Sequence, residues 1–167
     1  MKKSLRFAFG GLCLALAAAA AFLLSQPAQA PDTRFATLGG EQFGTADLRG
    51  KVVLVNFWAT SCTTCVAEMP MLSATQNKFA SRGYDTIAVA MQYDHPNHVA
   101  TFVQQRALPF KVVLDTDGAI ARAFGQVRVT PTSMLIDKRG RILKTYLGEP
   151  KVEEFHALVD QALNEPS

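Results

Sequence analysis

The sequence reads as an α/β protein in which a mixed β-sheet lies between layers of helix. Three observations predict this. Apolar strand-like runs and helical patterns alternate as β–α–β–α–β, followed by a β-hairpin and a closing helix, which is the order of a sheet covered on both faces. The run Val52–Trp58 (VVLVNFW) is apolar at nearly every position and rich in β-branched and aromatic residues, as a buried central strand should be. At 167 residues with 49% hydrophobic content, the chain is long enough for one real core and has an ordinary globular composition. The leading β–α–β units require right-handed crossovers.

Residues 1–30 read as a targeting segment. Lys2, Lys3 and Arg6 precede an uncharged apolar run from Phe7 to Leu24, and Ala28-Gln29-Ala30 offers a small-residue cleavage site. The run stands at the border between a signal core and a membrane-spanning helix. Pro31 would follow the scissile bond and make it a tertiary amide without an N–H, which favours a retained anchor through residues 7–24 over a cleaved leader. With either outcome the basic start stays cytoplasmic and residues 31–167, the folded domain, are exported. The expected location is the periplasm, tethered to the cytoplasmic membrane or free after cleavage behind Ala30.

Phe35–Leu38, Gly39-Gly40 and Glu41–Phe43 read as a small hairpin, and Thr45–Leu48 as a single helical turn ended by Gly50. After Val52–Trp58 comes a short turn, Ala59-Thr60-Ser61, and then Cys62 and Cys65 at the start of a helical pattern. Ser61 or Thr60 is expected to cap that helix through its hydroxyl. Two residues between cysteines make about one helical turn, so the sulfurs can approach, bridge and separate again. The partial positive charge of a helix N-terminus favours the thiolate of the first cysteine, and the thiolate is the attacking species in disulfide exchange. Cys-x-x-Cys next to a βαβ pattern therefore points to a dithiol redox pair. A purely structural disulfide would close so short a loop that it removes little chain entropy. Half a zinc site would need a second metal-binding pair, and the sequence has none.

The helix is expected to run to about Ser81, kinked at Pro70, which lacks an N–H, and to end at Gly83. Tyr84–Met91 reads as strand, Asn97–Ala107 as helix, Phe110–Leu114 as strand and Ile120–Phe124 as a helical turn or two. Ser133–Asp137 and Ile142–Leu147 flank the turn Lys138-Arg139-Gly140 as a hairpin. Lys151–Asn164 is amphipathic, with Val152, Phe155, Leu158, Val159 and Leu163 on one stripe.

The order of elements, with GKVVLVNFWATSCTTCVAEMP and VTPTSMLID, resembles the thioredoxin superfamily, closest to its exported, membrane-tethered TlpA/ResA/CcmG group. The resemblance covers Phe35 to Leu163. It rests on Phe57-Trp58, Cys62-x-x-Cys65, Glu68-Met69-Pro70 and Thr130-Pro131. It implies a thioredoxin-like three-layer α/β/α mixed sheet with an N-terminal β-hairpin and a central αβ insertion, the latter being the segment Asp94 to Arg128. It also implies that Cys62 is the nucleophile, that Cys65 is the resolving thiol, and that Pro131 is the cis-proline facing the disulfide. Trp58, Thr130 and Pro131 are the expected substrate contacts. The sequence departs from its relatives at Ser61, where a second tryptophan is common, at Asn56, where thioredoxin has a buried aspartate, and at Thr63-Thr64, which carries neither proline nor a basic residue. The glycine-rich loop of the cytochrome-maturation subgroup is not evident before Val129.

Glu68 stands three residues after Cys65 and six after Cys62, on the same helix face. Asn56 cannot move a proton, so Glu68 is the candidate to take the proton of Cys65; the alternative is an exposed helix carboxylate. With no cation between the cysteines, and with Glu68 opposing a thiolate when ionised, the pair should act as a reductant of protein disulfides. Such a protein must be recharged, which implies a membrane thiol donor of the DsbD or CcdA kind. Apocytochrome c cysteines are one substrate class the resemblance allows.

No metal, cofactor or nucleic-acid partner is expected, and the domain should be a monomer. Removing the three basic residues of the leader from 17 leaves 14 against 14 acidic residues, so the folded part is near neutral. Two rival readings share the fold. A peroxiredoxin needs a threonine three residues before its attacking cysteine, where this chain has Ala59 before Cys62. A copper carrier of the Sco type needs a longer cysteine spacer and a placed histidine; His95, His98 and His156 read as solvated helix residues.

Overall fold

Strand Val52–Trp58 is buried at all seven positions and sits at the centre of the sheet. A computed structural model describes residues 27–166 of the protein. Along the chain the strands are β1 (Arg34–Ala36), β2 (Gln42–Gly44), β3 (Val52–Trp58), β4 (Tyr84–Ala90), β5 (Lys111–Leu114), β6 (Thr132–Ile136) and β7 (Ile142–Leu147). The helices are α1 (Thr63–Phe79), α2 (Pro96–Arg106), α3 (Ala119–Ala123) and α4 (Val152–Asn164). The main sheet has the order β5-β4-β3-β6-β7, parallel from β5 to β3 and antiparallel from β3 to β7. The hairpin β1–β2 forms a separate two-stranded sheet. The unit α2–β5 adds an edge strand beside β4 and lies within the segment Asp94 to Arg128 expected as the central insertion.

Alternation along β3 divides the core in two. Val52, Leu54 and Trp58 face α1, α2 and α4, packing with Leu72, Val99, Phe155 and Val159. Val53, Val55 and Phe57 face the other way, onto Phe35 of the hairpin and Ile120 and Phe124 around α3. The second face is thus covered by one short helix and the hairpin.

Helix α1 runs unbroken through Pro70, whose missing N–H deprives the Val66 carbonyl of its intrahelical partner. A tight turn, Ala80–Arg82, follows, and Gly83 closes it at φ 95°, a left-handed conformation that costs glycine little. One expectation is corrected here. The cap of α1 is neither Ser61 nor Thr60 but Cys62 itself, whose sulfur accepts from the backbone N–H of Cys65. The turn leaves Cys62 in extended geometry, so its own side chain reaches the free amide first.

Most of the leader, residues 1–26, lies outside the described residues. Ala28–Ala30 lies on the outer edge of the sheet: Gln29 bridges Arg141, Ala30 N–H donates to the Gly140 carbonyl at 2.8 Å, and Ile142 N–H donates to the Ala28 carbonyl at 2.7 Å. The Thr45 hydroxyl donates to the Pro31 carbonyl at 2.8 Å. Contacts of the folded unit therefore begin before Pro31. Among the described residues no helix is long and apolar enough to cross a membrane.

Candidate active site

The polypeptide leaves β3 at Trp58, turns through Ala59–Ser61 and enters α1 at the cysteines. Cys62 is half-buried and Cys65 fully buried, because Cys65 is a turn further into a helix that packs on the sheet. The two sulfurs are bonded to each other, with Cα atoms 5.2 Å apart. Cys65 N–H points at Cys62 Sγ at 3.2 Å, so a free amide of the helix start is directed at the more exposed sulfur. The Thr64 hydroxyl stands 3.9 Å from the same sulfur.

Below the cysteines lies a buried polar cluster. Asn56 faces α1 by the same alternation that turns Trp58 toward it, and Ser133 is its partner across the antiparallel pair β3–β6. Asn56 Nδ2 donates to Glu68 Oε1 at 2.7 Å and stands 2.9 Å from Ser133 Oγ, whose oxygen accepts. Glu68 has no exposed surface, which removes the reading of an exposed helix carboxylate. Burial raises its carboxyl from an ordinary 4.5 to about 7; the bond from Asn56 opposes the rise and the charge of Glu149 adds to it. At neutral pH this group exists in both protonation states, which suits it to take up or release a proton. Among the described residues, Glu68 Oε2 and Asn56 Oδ1 have no hydrogen-bond partner.

Trp58 is fully buried and packs against Phe102 at 5.2 Å between ring centroids. Its ring belongs to the core cluster that also contains Cys65. The Thr130–Pro131 peptide bond is cis. Thr132 pairs with Phe57, so Pro131 stands level with the end of β3, where the active turn begins. Pro131 is buried, and its carbonyl accepts from Gly148 N–H at 2.8 Å. Thr130 is half-buried, within 3.3 Å of the Tyr93 hydroxyl. Tyr93, Val129 and Leu147 are exposed large hydrophobic side chains at this end of the sheet.

His95 and His156 are held in structural contacts. His95 caps α2 by accepting from Asn97 N–H at 3.2 Å. His156 is half-buried, bonded through Nε2 to the Thr75 hydroxyl at 2.9 Å, so it joins α1 to α4 and is not simply solvated. Among the described residues no three His, Cys, Asp or Glu side chains come together as a metal site.

Sequence reading did not find Ser133 as the second support of Asn56. Its role depends on the β3–β6 register, which nothing local to VTPTSMLID encodes.

The Redoxin family model matches residues 26–162. The chain belongs to the Redoxin family. Among curated relatives, the thiol-disulfide oxidoreductase ResA of Bacillus thuringiensis subsp. konkukian is 34% identical over 127 residues, 76% of this chain and 72% of the relative. ResA of Bacillus subtilis is 31% identical over 133 residues, covering 80% and 73%. Among solved structures, a thioredoxin-type protein of Neisseria meningitidis is 43% identical with a TM-score of 0.75, covering 80% of this chain and 88% of that one. A thiol:disulfide interchange protein of Chlorobium tepidum is 30% identical with a TM-score of 0.76, covering 84% and 99%. Within the thioredoxin superfamily this Redoxin is of the TlpA/ResA/CcmG type, and it is a thiol–disulfide oxidoreductase.

Proposed function

We propose that this Redoxin reduces disulfides in protein substrates outside the cytoplasm while held to the cytoplasmic membrane by residues 7–24. The observation that carries the reading is the pairing of a half-exposed Cys62, aimed at by a helix-start amide, with a buried Cys65 one turn from a buried Glu68.

In the reduced protein the Cys62 thiolate attacks one sulfur of the substrate disulfide. That bond breaks, the other substrate sulfur leaves as a thiolate, and Cys62 is left in a mixed disulfide. Cys65 gives its proton to Glu68 and attacks Cys62 Sγ, releasing the second substrate thiolate. Two electrons have passed to the substrate, and the protein carries the Cys62–Cys65 bond seen here. Thr130 and Pro131 stand where a substrate chain would pass. Return to the dithiol takes two electrons from outside, from a membrane thiol donor of the DsbD or CcdA kind. Thr63-Thr64 puts no cation between the sulfurs, and an ionised Glu68 beneath them disfavours a thiolate, both of which support the reducing direction. Apocytochrome c cysteines are one substrate class the family allows. The bonds that fix Ala28–Ala30 to the sheet support a retained anchor, since cleavage after Ala30 would remove them.

The experiment is trapping. In a Cys65→Ser variant Cys62 has no resolving partner, so mixed disulfides with substrates should accumulate at Cys62. Absence of Cys62-linked adducts, with the variant folded and its thiol free, would refute the reading.

A further inference from the structure

We infer that Asp94 is a positioning residue for the attacking cysteine, acting through Thr60; this rests on the thiol–disulfide reading above. The turn Ala59–Ser61 has little hold of its own. Its internal bond is from Cys62 N–H to the Ala59 carbonyl, at 3.1 Å. The remaining hold comes from the other side of the site. Thr60 N–H donates to Asp94 Oδ2 at 2.5 Å and the Thr60 hydroxyl donates to Asp94 Oδ1 at 2.7 Å. Both oxygens of one carboxylate thus grip one residue of the turn, two positions before Cys62. Bonds to an ionised acceptor are the strong kind, and two in parallel fix orientation as well as distance.

The carboxylate is committed to this contact. Helix α2 begins two residues later, but its cap is His95, so Asp94 does not serve the helix it precedes. No ion pair among the described residues includes Asp94. Its own segment is anchored to the sheet: Asp94 N–H donates to the Met91 carbonyl at 2.9 Å, and Met91 N–H donates to the Trp58 carbonyl at 3.0 Å. The loop that opens the central insertion is therefore bonded to the last residue of β3 and, through Asp94, to the turn that follows it. Tyr93, beside Asp94, reaches Thr130 on the other wall of the site. The insertion does more than add an edge strand: its first turn holds the active turn in place.

The test uses the reduced protein and two readouts: the rate at which iodoacetamide alkylates Cys62, and the rate of exchange with oxidised glutathione. Asp94→Ala removes both bonds and should slow each reaction about tenfold, since small misplacement of a reacting group is costly. Asp94→Asn keeps an acceptor for Thr60 N–H and should recover the rates to within about threefold of wild type. Thr60→Val removes only the hydroxyl bond, should give an intermediate loss, and keeps the proposal testable if Asp94→Ala fails to fold. A purely structural role would lower the melting temperature of Asp94→Ala and leave the rates per folded molecule at wild-type values; that result would overturn the proposal. So would an Asp94→Asn protein as slow as Asp94→Ala. A wild-type protein that does not exchange with glutathione at all would overturn the functional reading and this one with it.

Discussion

Replacing Glu68 by glutamine should make the oxidised domain more stable in alkaline solution and leave it unchanged in acid. The side chain has no exposed surface, and burial raises its carboxyl from 4.5 to about 7. A carboxyl whose folded value is raised stabilises the fold fully below its unfolded value, and that contribution is lost as pH rises toward the folded value. The loss therefore runs from about pH 4.5 to about pH 7. At about 1.4 kcal/mol per pH unit the folded protein carries a cost of about 3 kcal/mol once Glu68 is ionised. Glutamine has nearly the same shape, does not ionise, and its amide oxygen can accept the Asn56 bond now made by Oε1. The assay is urea unfolding of wild type and Glu68→Gln, both with the disulfide closed, at pH 4 and pH 8. Other titrating groups cancel in the difference. The two should agree within about 0.5 kcal/mol at pH 4, and the variant should be more stable by about 2–3 kcal/mol at pH 8. A difference of the same size at both pH values, or a variant less stable at pH 8, would refute the claim that burial dominates at Glu68.

Four further outcomes are expected. In the reduced protein, iodoacetamide should modify Cys62 before Cys65, read by peptide mass; preferential labelling of Cys65 would reverse the assignment of attacker and resolver. Glu68→Gln should slow release of substrate from the mixed disulfide and remove the dependence of that step on pH near 7, and an unchanged profile would show that Cys65 loses its proton elsewhere. Protein made from the full gene and recovered from its own cell envelope should keep residues before Ala28 and fractionate with membranes. Deleting residues 1–30 should cost about 1 kcal/mol through the lost backbone bonds to Gly140 and Ile142; a mature N-terminus at Pro31 would contradict the retained anchor.

Much of the fold was legible because its signals are local. VVLVNFW is a buried strand by composition alone, Gly83 stops a helix by conformation, and the stripe from Val152 to Leu163 gives α4 its buried face. The dithiol was legible because its spacing matches a helical turn. The rest depended on tertiary contact. Asn56 could be seen as a missing aspartate, but its bond to Glu68 exists only because β3 alternation and the α1 face meet. The hydroxyls of Thr60 and Ser61 made either a plausible cap, yet Thr60 turns to Asp94, 34 residues away in sequence, and the sulfur of Cys62 takes the amide instead. The place of Trp58 near the cysteines was legible, but its packing on Phe102 of the insertion depends on tertiary contact.

The most direct test of the central claim is the redox potential of the Cys62–Cys65 pair. The purified domain is equilibrated in thiol–disulfide buffers of defined potential, and its state is read by alkylation. A reductase with no cation between its sulfurs should stand nearer the roughly −270 mV of thioredoxin than the roughly −120 mV of DsbA. A value close to that of DsbA would mean that electrons flow the other way and that the protein is an oxidant.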